Sequence, residues 1–227
     1  MNWIIKFFRS SIGQKIIMSL TGLFLISFLT VHLIGNIQLL WNDEGVAFNT
    51  YAYFMTHNPL IKFISIGLYG FILLHSIQGI VLMLSNKSSK GGKYAVAPKE
   101  TGSWASKNMG MLGLLIFAFL MIHMGDFWFK MKIGSLPMVD VPSLDVQVAD
   151  LYGRVSLAYE NLFVVIFYLV GLLALAFHLN HGFASAFQTL GLRHKKYTPF
   201  ISFLGKAYSI LIPLGFAIIP LYIYFTK

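Results

Sequence analysis

The sequence predicts an all-α integral membrane protein, a bundle of five transmembrane helices. Three observations carry that expectation. The 227 residues are 57% hydrophobic and only 11% charged, with a mean hydropathy of +0.72, whereas about a quarter of the residues in an ordinary soluble domain are charged. A hydrocarbon core of about 30 Å takes roughly 20 mostly apolar residues per helix, and the chain offers five runs of that length between polar breaks. Lysine and arginine concentrate in alternate breaks. A water-soluble globule is excluded, and residues 1–227 read as one domain with no internal boundary.

The elements follow in order. Trp3, Phe7 and Phe8 interleave with Lys6, Arg9 and Lys15, the pattern of an amphipathic segment lying along a membrane surface. It has no small-residue cleavage site, and the run after it is too long for a signal peptide, so it is expected to stay in the mature protein. The first span covers residues 16–40 and the second 60–84, the latter opened by Asn58-Pro59, a capping residue followed by the residue suited to a first helical position. The third covers 109–129, the fourth 162–187 and the fifth 201–225; Pro213 and Pro220 lie close to one face of the fifth and predict a bend. A long inner loop of residues 86–106, rich in Gly, Ser and Lys, has an outer counterpart at 134–153.

The net charge of +9 reports orientation in such a protein rather than a nucleic-acid partner. Lys6, Arg9 and Lys15, then Lys87, Lys90, Lys93, Lys99 and Lys107, then Arg193, Lys195 and Lys196 fall on one side, which the positive-inside rule makes cytoplasmic. Asp43, Glu44, Asp140, Asp145 and Asp150 fall on the other, with fewer cations. The N-terminus is thus expected inside and the C-terminus outside.

The chain has no cysteine, which excludes disulfides, thiolate metal sites, iron–sulfur ligation and covalent c-type haem attachment. Four of the five spans carry histidine instead: His32, His75, His123 and His178, with His181 one turn beyond the last, while His57 and His194 lie in loops. Ionisable side chains inside a membrane are costly and usually face the bundle interior. At 1.5 Å per residue, His32 and His123 lie about 25 Å from the lysine-rich side and His75 and His178 about 17 Å from it. Two pairs at two depths follow, an arrangement that gives two flat iron macrocycles their axial imidazoles. Gly35, Gly79 and Gly182 follow His32, His75 and His178 by about one turn, on the ligand face, where the missing Cβ lets a large ring approach. Ordinary helix packing also uses such glycines, and a single intramembrane histidine more often bonds a neighbouring helix. One per helix in four helices at matched depths favours ligation.

The runs His32-Leu33-Ile34-Gly35-Asn36, Leu74-His75-Ser76-Ile77-Gln78-Gly79, Ile122-His123-Met124 and especially 177–191, which opens Phe177-His178-Leu179-Asn180-His181-Gly182, resemble the cytochrome b subunit of succinate dehydrogenase/fumarate reductase. The nearest variety is the single-chain, five-helix, di-haem cytochrome b558 type, and the likeness covers nearly the whole chain. It implies two haem b groups, menaquinone as lipid-soluble partner, and a flavoprotein subunit and an iron–sulfur subunit on the cytoplasmic side of a bacterial cytoplasmic membrane. It also implies that His75 and His178 hold the haem nearer the soluble subunits and His32 and His123 the distal one. His181 departs from the family pattern, which tolerates an amide there, and His178 is kept as the ligand.

Quinone chemistry needs an apolar slot with groups that bond two carbonyls and exchange protons. Gln38, Trp41, Asp43, Glu44, His57 and Asp126 gather near the outer end, so a menaquinone site with Asp126 or Glu44 exchanging protons is expected there. The plainer alternative is a solvated turn at Asp43-Glu44 and an interface marker at Asp126. Lys90, Lys93, Lys99, Arg193 and Lys195 would dock the iron–sulfur subunit, or else set topology and touch anionic membrane lipid. No Walker loop, Gly-rich dinucleotide turn or zinc motif is present, which places the dicarboxylate chemistry on other subunits. The rival readings are the cytochrome b of a hydrogenase or formate dehydrogenase, and a haem-free transporter with histidines in a proton path.

Overall fold

The computed structural model describes residues 2–89, 103–142 and 144–226. A short helix α1 (Trp3–Arg9) leads into α2 (Ser11–Asn36), which tightens into a 3₁₀ turn, Ile37–Leu40. Then follow α3 (Val46–His57), α4 (Pro59–Ser89), α5 (Trp104–Lys107) and α6 (Met109–His123). A π turn, Met124–Phe129, continues α6 into α7 (Lys130–Lys132). An antiparallel hairpin, β1 (Met138–Asp140) and β2 (Gln147–Ala149), precedes α8 (Leu151–Tyr159), α9 (Leu162–Thr189) and α10 (Thr198–Thr226).

Among the described residues five helical stretches are long and apolar enough to cross a membrane: Ser11–Leu40, Pro59–Ser85, Met109–Lys132, Leu162–Thr189 and Thr198–Thr226. The protein is therefore an all-α bundle compatible with a multi-pass membrane protein. Its helix ends are set by local chemistry. Ser10 Oγ accepts from Gly13 N at 3.0 Å and starts α2. Asn58 Oδ1 accepts from Leu60 N and Ile61 N at 3.0 and 3.3 Å, so α4 opens at Pro59 as its sequence demands. Asn161 Oδ1 does the same for α9 through Phe163 N, at 2.9 Å.

Three expectations are corrected. The second span ends at Ser85, as expected, but its helix continues to Ser89 into the expected inner loop, whose far end α5 occupies; Lys90, Lys93 and Lys99 lie outside the described residues. The expected outer loop holds the hairpin and the first turn of α8. The polar connection after the first span folds as α3, closed by Asp43, which accepts from Gly45 N and Ala47 N at 3.1 and 2.8 Å. The fifth span runs as one helix through Pro213 and Pro220, both buried.

The bundle has a definite order. α2 packs on α4 and α9, and α6 packs on the same two helices, so these four run round a ring as α2, α4, α6, α9; α10 lies outside, on α9 and α2. The main core gathers at the acidic end, where Leu39, Phe48, Phe127, Val155, Tyr159, Val165, Tyr168, Ile219 and Ile223 are buried together. α3 is fastened to α8 there. Asn49 Nδ2 donates to Asp150 Oδ1 at 3.0 Å, and Asn49 Oδ1 accepts from Tyr152 N at 2.9 Å. The outward surface is strongly apolar, with Phe63, Ile66 and Phe163 at least 70% exposed, more than a soluble monomer leaves in water.

Candidate functional site

Each of the four histidines on the long apolar helices comes from a different helix of the ring, and the ring order places α2 across from α6 and α4 across from α9. Both histidine pairs therefore bridge diagonals of the bundle. His32 and His123 have ring centroids 5.9 Å apart with planes at 87°. His75 and His178 have centroids 6.2 Å apart with planes at 71°.

The rings are held differently. His32 stacks on Phe28 at 5.1 Å and meets Phe216 at 5.5 Å. Its Nδ1 lies 3.3 Å from Asn36 Nδ2, which also donates to the His32 carbonyl at 2.7 Å. His123 stacks on Phe119 at 5.7 Å, and its Nδ1 is 3.4 Å from the Tyr168 hydroxyl. Thr21 Oγ1 lies 3.1 Å from His75 Nδ1. A Cβ on Gly22 would come within 3.3 Å of His75 Cε1, so α2 passes the ring with no room to spare. Three rings thus engage a neighbour through Nδ1, which leaves Nε2 as the nitrogen to offer a metal; such an outer partner commonly orients a ligating imidazole. The exception is His178, whose buried Nδ1 has no hydrogen-bond partner.

The three glycines expected on the ligand face divide. Gly182 has nothing within 4 Å of where a Cβ would stand, and Gly79 has only Met18 Cε, at 3.7 Å. Gly35 is a correction: the ring close to it is Tyr51, whose Cε1 would sit 2.3 Å from an added Cβ. That glycine serves the packing of α3 on α2 and leaves no room for a macrocycle.

The centroid separations are of the size that two imidazoles sharing one metal ion would need. Two metal–imidazole bonds of about 2.0–2.1 Å on opposite sides of one ion put the ring centroids about 6 Å apart. Among the described residues no three His, Cys, Asp or Glu side chains converge as a metal site, so each pair offers two imidazoles and no third protein ligand of those types. Gln78 Nε2, on the turn after His75, is a second buried polar atom without a protein partner. Unpaired buried donors cost about 1–3 kcal/mol, and both mark unspent hydrogen-bonding capacity around the inner pair.

The residues proposed for quinone chemistry separate. Gln38, Trp41 and Asp43 line one open groove of about 570 Å³ with Thr50, Tyr51 and Phe54 from α3. Glu44 is exposed in the adjoining turn at a positive φ of 55°. Asp126 is elsewhere engaged, accepting from Lys130 Nζ at 2.7 Å and from Arg154 Nη2. His57 is exposed, stacked on Tyr53, with Nδ1 2.9 Å from the Tyr53 carbonyl. His194 organises the turn before α10 through its main-chain N–H to Thr198 Oγ1, and His181 is half-buried on α9. Arg193 and Lys195 are exposed at the basic end.

Thr21, Gly22 and Tyr168 are absent from the sequence reading, which gives Arg154 only as a cation of the outer side and a candidate neighbour of haem propionates. Thr21 was within reach of it, because it precedes His32 by eleven residues, close to three full turns, and so shares that histidine's face. No family model, no curated protein and no solved structure matches this chain.

Proposed function

We propose that the chain is the haem-b membrane anchor of a succinate:quinone oxidoreductase, passing electrons between an iron–sulfur subunit and menaquinone. The observation that carries this reading is the pair of diagonal histidine contacts at 5.9 and 6.2 Å. His32 and His123 would hold one haem b, and His75 and His178 the other. Held by two imidazoles each, such haems would supply one-electron transfer rather than oxygen chemistry.

The chain's own residues account for the rest. Phe28, Phe119 and Phe216 shield the outer pair from water, and Thr21, Asn36 and Tyr168 hold ring orientation. Trp41 and Gln38, side by side in the outer groove, offer N–H donors to quinone carbonyls. Glu44 in the turn beside that groove is free to exchange protons with water, whereas Asp126 shares its charge with Lys130 and Arg154. Lysine and arginine concentrate at the end away from the groove, in residues 6–15, 87–107 and 193–196, so by the positive-inside rule that end would face the cytoplasm. The flavoprotein and iron–sulfur subunits would dock there, against Arg193, Lys195 and their neighbours, with the bundle in a bacterial cytoplasmic membrane.

Purification through a tag on this chain tests the assignment. Flavin and iron–sulfur clusters should accompany it, and succinate should reduce its b-type absorbance. A chain without b-type absorbance contradicts the haem reading. Reduction by hydrogen or formate but not by succinate contradicts the choice of oxidoreductase.

A further inference from the structure

Resting on the di-haem reading, we propose that Arg154 is a positioning residue for the outer imidazole pair, acting from α8 through Asp126 and the π turn that follows His123. The π turn begins at the residue after the histidine and runs to Phe129. Such turns are rare and occur mostly as single-turn bulges inside helices, and this one is met by a tertiary contact. Arg154 supplies it at two points: Nη2 donates to Asp126 Oδ1, and Nε donates to the Asp126 main-chain carbonyl at 3.4 Å. Lys130 Nζ closes on the same Oδ1 at 2.7 Å. Arg154 and Asp126 are only 17% and 22% exposed, which spares the contact most of the solvent screening that weakens surface pairs. A planar guanidinium can grip side chain and backbone together in a way that an ammonium cannot.

The next residue transmits the grip. Phe127 sits 5.4 Å from the His123 ring and 6.2 Å from Tyr168, whose hydroxyl faces His123 Nδ1. The phase of the π turn thus decides where Phe127 presses on the imidazole. Arg154 is itself held in place, since α8 is capped by Asp150, which accepts from Gly153 N at 2.8 Å and from Asn49 Nδ2. The orientation of the His123 ring against His32 is therefore fixed partly from the cap outside the spans. Among the described residues no comparable ion pair stands beside the inner pair, where His178 Nδ1 has no partner.

The test uses the intact complex with Arg154→Gln and Arg154→Lys. In low-spin ferric haem the paramagnetic resonance g-values respond to the angle between the two axial imidazole planes. Wild type should give two low-spin signals, one of them lost in His123→Ala. Arg154→Gln should shift that same signal, and the midpoint potential of that haem, while the other signal stays in place; Arg154→Lys should shift it less. Both signals unmoved at full haem content, or both moved together, would overturn the proposal. Should Arg154→Gln fail to assemble, an Arg154→Lys variant with unchanged spectrum and potential overturns it equally. A wild-type complex without two low-spin signals defeats the di-haem reading before any variant is made.

Discussion

Phe28 stacks on the His32 ring and Phe216 meets it at a tilt, whereas His75 is met by a hydroxyl and a bare glycine of α2. The difference predicts how each site fails. Thr21→Val removes the partner of His75 Nδ1, and loss of such an outer contact typically weakens a metal site about 10–100-fold. The inner haem should therefore escape faster to a haem scavenger in detergent, with the outer one retained. Gly171→Ala acts on the outer site, because an added Cβ would stand 2.6 Å from the Phe119 ring that stacks on His123. Overpacking of this kind costs about 1–3 kcal/mol, to be read as a lower melting temperature together with a shifted outer-haem spectrum. The four ligand candidates were legible in the sequence because a histidine inside a lipid-length run is conspicuous and its depth follows from helical rise. Their surroundings were not, since Gly22, Gly171 and Tyr168 become informative only when the helices across from them are known.

The cap at the acidic end is the element that joins the bundle to its outer connections. Asn49 is 3% exposed and is the hinge pin between α3 and α8, so Asn49→Leu removes the side-chain acceptor of Tyr152 N and one of the two donors to Asp150 Oδ1, Gly153 N being the other. The loss should be about 1–3 kcal/mol, measured as a drop in unfolding midpoint. Tyr159 gives the same cap a pH response. Burial first, then the neighbouring Tyr168 and Asp126, push its phenol well above the ordinary value of 10.0. The unfolded chain releases that proton near the ordinary tyrosine pKa of about 10 while the folded chain keeps it, so stability is fully present below that pH and falls as pH rises above it. Tyr159→Phe should flatten the alkaline loss in a melting-temperature titration; an unchanged slope would place the sensitivity elsewhere. Neither α3 nor the hairpin could be read from the sequence. α3 is short, and it is held by bonds to residues about a hundred positions away, Asp150 and Tyr152. The hairpin strands are three residues each, set among prolines that ordinarily mark loops. The π turn left no trace in periodicity because a partner from α8 holds it.

Across the whole molecule, the five long helices were legible for the simplest reason: lipid demands a run of apolar residues, and the chain has five. Their arrangement in a ring with histidines on both diagonals was only half visible, as two depths without a lateral order. The absence of cysteine from the sequence makes sidedness directly testable. In intact cells Asp145→Cys should react with a membrane-impermeant maleimide and Lys195→Cys should not; the reverse pattern would invert the proposed orientation. The central claim, that two histidine pairs each hold a haem across the bundle, is tested most directly by pyridine haemochrome quantitation against chain concentration. The account predicts two haem b per wild-type chain and one after His32→Ala or His178→Ala. A wild-type chain that binds none, or that keeps both when either histidine is removed, would contradict it.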